Sequence, residues 1–118
     1  MEIKSQIVRI MNIQNLRYPK QMWIGLAKVK TADNNQVLNG ATKAYVTVVG
    51  LSTTRLKFRN AIAEELNGLG IMLERLENAE TLKERKRKFE LPEQLYKLIH
   101  QTVKKSKQIG FLPFHTYD

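Results

Sequence analysis

Two histidines, His100 and His115, are the only imidazoles in this chain. A pair of imidazoles can divide acid and base duties in phosphodiester cleavage, with lysines stabilising the charge that develops on phosphate. Their surroundings point to plainer roles. His100 follows Ile99 in a helical pattern, at the boundary or on the solvated side. His115 stands in the aromatic tail Phe111-Leu112-Pro113-Phe114-His115-Thr116-Tyr117, as one polar residue of a strand. Glu74, Glu77, Glu80 and Glu84 are of the type that builds carboxylate metal clusters, but their spacing suits the solvated acidic side of a helix. Cysteine is absent, which excludes thiolate zinc, disulfides and cysteine nucleophiles. Gly68-Leu69-Gly70 is too short for a phosphate loop and lies at a helix end, not at a helix start. Gly-x-Ser-x-Gly, His-Glu-x-x-His and EF-hand patterns are lacking. The expectation is a protein that is not an enzyme and uses neither a metal nor a cofactor.

Charge is distributed unevenly. The 118 residues carry a formal net charge of +9. Yet Glu64 to Glu84 holds Glu64, Glu65, Glu74, Glu77, Glu80 and Glu84 against only Arg75 and Lys83. A basic run follows, and Lys83 to Lys107 includes Arg85, Lys86, Arg87, Lys88, Lys97, Lys104, Lys105 and Lys107 against Glu84, Glu90 and Glu93. Charge patterns report on partners, not on fold. The acidic strip suits a protein partner with a complementary surface. The basic group Arg85, Lys86, Arg87, Lys88, Lys104, Lys105 and Lys107 offers an alternative, a nucleic-acid surface with steep salt dependence. Phe89, Tyr96, Phe111 and Phe114 nearby can stack on unpaired bases, although no helix-turn-helix, RRM or KH signature is present.

The elements that carry these residues follow from periodicity. Length and an apolar fraction of 42% fit a single domain over 1–118. Ile3–Ile13 and Met22–Lys30 predict two strands, the second with Trp23, Ala27 and Val29 on one face and Lys28 and Lys30 on the other. Lys43–Leu51 predicts a third, apolar on both faces and hence central. Ser52, Thr53 and Thr54 offer helix caps before a stripe of Phe58, Ile62, Leu66 and Leu69, which Gly68 and Gly70 end. Ile71–Leu76 alternates with a period near two and predicts a fourth strand. The alternative is a helix resuming through Leu73, Leu76, Ala79 and Leu82. Lys83–Phe89 reads as an exposed turn or helix end. Pro92 opens a second long helix with the stripe Leu95, Leu98, Ile99 and Val103. Phe111–Tyr117, interrupted by Pro113, predicts an edge strand. The expected fold class is α+β: a mostly antiparallel sheet of four to five strands with two helices on one face, in the order β-β-β-α-β-α-β.

The scheme of Tyr45-Val46-Thr47-Val48-Val49-Gly50, a helix ending in Gly70, the acidic Leu73-Glu74-Arg75-Leu76-Glu77 segment and the closing Phe114-His115-Thr116-Tyr117 strand resembles the small immunity proteins of bacterial polymorphic and contact-dependent growth inhibition toxin systems. The resemblance implies an antidote that binds a toxin's C-terminal domain and occludes its active site. A chain of +9 departs from the acidic character usual in nuclease antidotes, so the resemblance points to the strip Glu64–Glu84 as the docking surface. No apolar run approaches the roughly 18 residues that span a bilayer. Met1-Glu2-Ile3-Lys4 lacks the start of a signal peptide, so the expected location is cytoplasmic, without membrane contact. The edge segments Met1–Asn12 and Phe111–Tyr117 are candidates for strand pairing with a partner or a second copy.

Overall fold

The computed structural model describes residues 19–32 and 35–117. The strand expected at Ile3–Ile13 lies outside the described residues. The fold is α+β, built on an antiparallel sheet.

Strands β1 (Gln21–Lys30) and β2 (Lys43–Ser52) pair along their full length, from Gln21 opposite Ser52 to Lys30 opposite Lys43. Side chains alternate across a strand, so this register places Trp23, Ala27 and Val29 on one face with Ala44, Val46 and Val48. Ile24 and Val49 stand on the other. The connection turns through Asn39 and Gly40, at φ of 53° and 84°, conformations that these two residue types tolerate. As its apolar faces foretold, β2 is central: β1 flanks one side, and β4 (Ile109–Phe111) and β5 (His115–Tyr117) share the other. Pro113 falls between these last two strands, where no ladder hydrogen bond is required of it.

Helix α1 (Arg55–Gly68) starts at Thr54, whose hydroxyl accepts a hydrogen bond from the Lys57 amide at 3.1 Å. Phe58, Ile62 and Leu66 are fully buried against Ala27, Val29, Val46 and Val48. Each such side chain contributes about 1.5–3 kcal/mol by leaving water. The Phe58 ring also stacks on Trp23, with centroids 6.2 Å apart. Leu69, the fourth residue of the expected stripe, sits past the helix end and stays exposed. Gly70, at φ 73°, then turns the chain toward the sheet.

Residues Met72–Thr81 form one long strand, β3, antiparallel to β1. Its register slips twice against β1, between Ile24 and Leu26 and between Lys28 and Val29. Each slip is a bulge in which β3 carries an extra residue; Asn78, at φ 54°, lies at the first. The bulges explain why helix and strand competed here. Leu73 stands opposite Val29 and Leu76 opposite Ala27, and Ala79 packs with them on the same core. A spacing of three, read from sequence as helical, keeps one face of a strand because the two bulges absorb the extra residues.

The short helix α2 (Leu82–Lys88) begins with a capping box in which Thr81 and Glu84 satisfy each other's backbone amides. Helix α3 (Glu93–Lys104) follows Pro92. Leu91 and Leu95, with Leu98 and Ile99, cover Ile24 and Val49. The two long helices therefore take opposite faces of the sheet instead of sharing one, because β1 and β2 are apolar on both sides at the Ile24–Val49 end. Val103 of the expected stripe is exposed, and Thr102 is buried in its place. The Thr102 hydroxyl donates to the Leu98 carbonyl at 2.7 Å, which satisfies it without an external partner.

Candidate functional site

The two histidines belong to separate elements. His100 is exposed on α3, and His115 is exposed on β5, opposite Tyr45 at the start of β2. Among the described residues, no group of three or more His, Asp or Glu is arranged to hold a metal ion.

The six glutamates of the acidic strip divide among three elements. Glu64 and Glu65 are exposed on α1, Glu74, Glu77 and Glu80 lie on β3, and Glu84 is spent on the α2 cap. Each of the β3 carboxylates has a cationic partner. Glu74 lies 3.6 Å from Lys28, and Glu77 lies 2.5 Å from Arg75. Glu80 binds both Arg85 and Lys88 from α2, and Lys88 with Arg85 holds its carboxyl below the usual carboxylate range. The β3 glutamates thus neutralise this protein's own cations.

The basic group also divides. Arg85 and Lys88 face Glu80. Arg85 additionally donates to the Asn78 carbonyl at 2.8 Å, fastening α2 to the bulge. Lys86 lies 5.4 Å from the Tyr96 ring centroid, and Arg87 is exposed on the same short helix. Lys104, Lys105 and Lys107 sit at the far end of α3. A helix rises about 1.5 Å per residue, so Tyr96 and Lys104 are separated by about 12 Å along the axis. The sequence cluster becomes two smaller groups.

A different surface brings several features together. Strand β3 pairs with β1 on one side, and no described strand lies on its other side. Helix α1 lies above this edge. Arg55, Arg59, Ala63 and Asn67 recur every four residues and so form one row along the helix. That row borders two hollows against β3. One, of about 490 Å³, is lined by Arg55, Leu56, Arg59, Glu74, Arg75 and Leu76. The other, of about 720 Å³, lies between Ala63, Glu64 and Asn67 of α1, the end of β1 at Lys30 and the start of β3 at Met72 and Leu73. Together they mark a furrow along the sheet edge. Leu56 and Met72, 65% and 60% exposed, present apolar surface beside it. Among the ion pairs of the described residues, none involves Arg55 or Arg59.

Set against known protein families, curated proteins and solved structures, the chain matches none. Function must therefore be argued from the furrow's own chemistry. No helix among the described residues is long and apolar enough to cross a membrane.

Reading the sequence for charge runs passed over this surface, since Arg55 and Arg59 stand outside both runs. Their four-residue spacing along the border of the Phe58-Ile62-Leu66 stripe was the available signal. The place of β3 at the border of the described sheet had none, because it depends on which strands become neighbours.

Proposed function

We propose that the chain is a non-catalytic protein-binding domain of the immunity type, which neutralises a cognate bacterial toxin domain by covering its surface. The observation that carries this reading is the outer edge of β3, on which no described strand lies, beside a furrow with exposed Leu56 and Met72. An open strand edge is a liability unless something covers it, and exposed apolar side chains next to backbone donors and acceptors favour a polypeptide partner. The resemblance of the strand, helix and tail pattern to immunity proteins supports the toxin as that partner. The charge on β3 shifts emphasis from the acidic strip, since Glu74, Glu77 and Glu80 are engaged within the chain.

The test is capture of partners on the tagged full chain from lysate of the source cells, treated with nuclease and washed at high salt. The expected result is one stoichiometric protein carrying a toxin domain, whose activity the purified chain abolishes. Failure of any protein to survive both treatments would overturn the reading. The alternative, nucleic-acid binding, draws on the exposed group of Lys86, Arg87 and Tyr96. It predicts RNA or DNA in the captured material when nuclease and salt are omitted.

A further inference from the structure

Resting on the reading of this chain as a protein-binding domain, we infer that the furrow between α1 and β3 accepts an acidic, extended segment of the partner. The segment adds to β3 at Arg75–Glu77, and Arg55 and Arg59 receive its carboxylates.

The backbone sets the pairing. In an edge strand, the N–H and C=O of alternate residues point away from the sheet. Register against β1 slips on either side of Leu76, leaving Arg75, Leu76 and Glu77 as the regular stretch between the two bulges. Bulges bend a strand and break its ladder, so the added pairing is short. It suits a peptide segment better than a full sheet.

The side chains set the chemistry. Arg55 and Arg59 stand one helical turn apart over that stretch, whereas the Arg75 side chain, opposite Lys28, turns to the other face of the sheet and pairs with Glu77. A guanidinium presents a planar fork that matches a carboxylate at two points. Glu74 lines the same hollow, but it is drawn toward Lys28. Leu56 and Leu76 complete the hollow's lining. Alternate residues of an added strand face α1, so the fitting segment has an acidic and an apolar side chain two positions apart.

Charge favours an acidic occupant over a second copy, since Arg55 and Arg59 stand outside the ion pairs of the described residues and the β3 glutamates of a copy would already be paired with its own cations.

The experiment uses the full chain and a fluorescein-labelled octapeptide of repeating Thr-Glu-Thr-Leu, titrated by fluorescence polarisation and mapped by hydrogen exchange. The expected result is affinity about ten-fold or more above that for the peptide with Lys in place of Glu, a difference of about 1.4 kcal/mol, with slowed exchange at Arg75–Glu77. The preference should vanish in R55E/R59E and survive in K104E/K105E, each checked for an unchanged melting curve. Equal binding of the two peptides would overturn the inference. So would undiminished binding of an acidic peptide N-methylated at alternate amides, since charge attraction alone would then suffice. A toxin domain captured equally well by wild type and R55E/R59E would remove this docking mode and leave the protein-binding function standing. An empty capture with both would remove that function itself.

Discussion

Gly110 of β4 lies against Thr102 of α3 so closely that a β-carbon at Gly110 would overlap the Thr102 hydroxyl oxygen. The contact closes α3 onto the sheet at the position where Gly110 pairs with Val49. Gly110→Ala should therefore destabilise the fold by about 1–3 kcal/mol, as overpacking does. Removing the opposing hydroxyl in Gly110→Ala/Thr102→Ala should restore part of the loss, giving the non-additivity of residues in contact. Urea unfolding of the two single variants and the double variant checks both statements.

Asn78 holds a left-handed conformation at the β3 bulge, while its carbonyl accepts a hydrogen bond from Arg85. Asn78→Gly should leave stability almost unchanged, since glycine adopts this conformation freely. Asn78→Val should cost about 1–2 kcal/mol, because a β-branched side chain collides with the backbone there. Thermal melts of the pair decide it. Equal losses would mean that the side chain, not the backbone, matters.

Glu80 ties α2 to β3, and Lys88 with Arg85 keeps its carboxyl below the usual carboxylate range. Its folded value lies under its unfolded one, so the stabilisation is fully present above the unfolded value, about 4.3. It is lost as pH falls through the folded value. Glu80→Gln should lower the urea midpoint at neutral pH, and the gap to wild type should close in acid. A gap that stays constant from pH 7 to pH 3 would show that the carboxylate charge is not what holds α2.

Thr54 and Thr81 cap α1 and α2 through their hydroxyls. Thr54→Ala should cost about 1 kcal/mol of global stability, because α1 carries Phe58, Ile62 and Leu66 into the core. Thr81→Ala should chiefly release α2, which buries none of its residues. Hydrogen exchange on the two variants separates them, with local loss at Leu82–Lys88 in the second and loss throughout the sheet in the first.

Much of the fold was legible from local pattern. The two faces of β1, the central place of β2, the cap at Thr54 and the Phe58-Ile62-Leu66 stripe follow from periodicity and from residues that satisfy helix ends. Those signals live within a few residues of one another, so they survive without knowledge of neighbours. The Ile71–Leu82 stretch shows their limit. Bulges at two positions gave a strand the spacing of a helix, and only pairing with β1 reveals the slips. The stripe ending in Val103 failed for a similar reason. Thr102 is buried because Gly110, eight residues on, leaves room only there.

The sequence alone determined the excess of basic charge, the absence of thiol chemistry and the presence of an acidic run before a basic one. Tertiary structure decided what those charges do. It turned Glu74, Glu77 and Glu80 toward Lys28, Arg75, Arg85 and Lys88, and it separated Lys86 from Lys104. It also brought Arg55 and Arg59, inconspicuous in sequence, beside the edge of β3 that no described strand covers. The physical reason is range. Propensity and periodicity act along the chain, whereas ion pairs and sheet edges depend on which distant segments the core draws together.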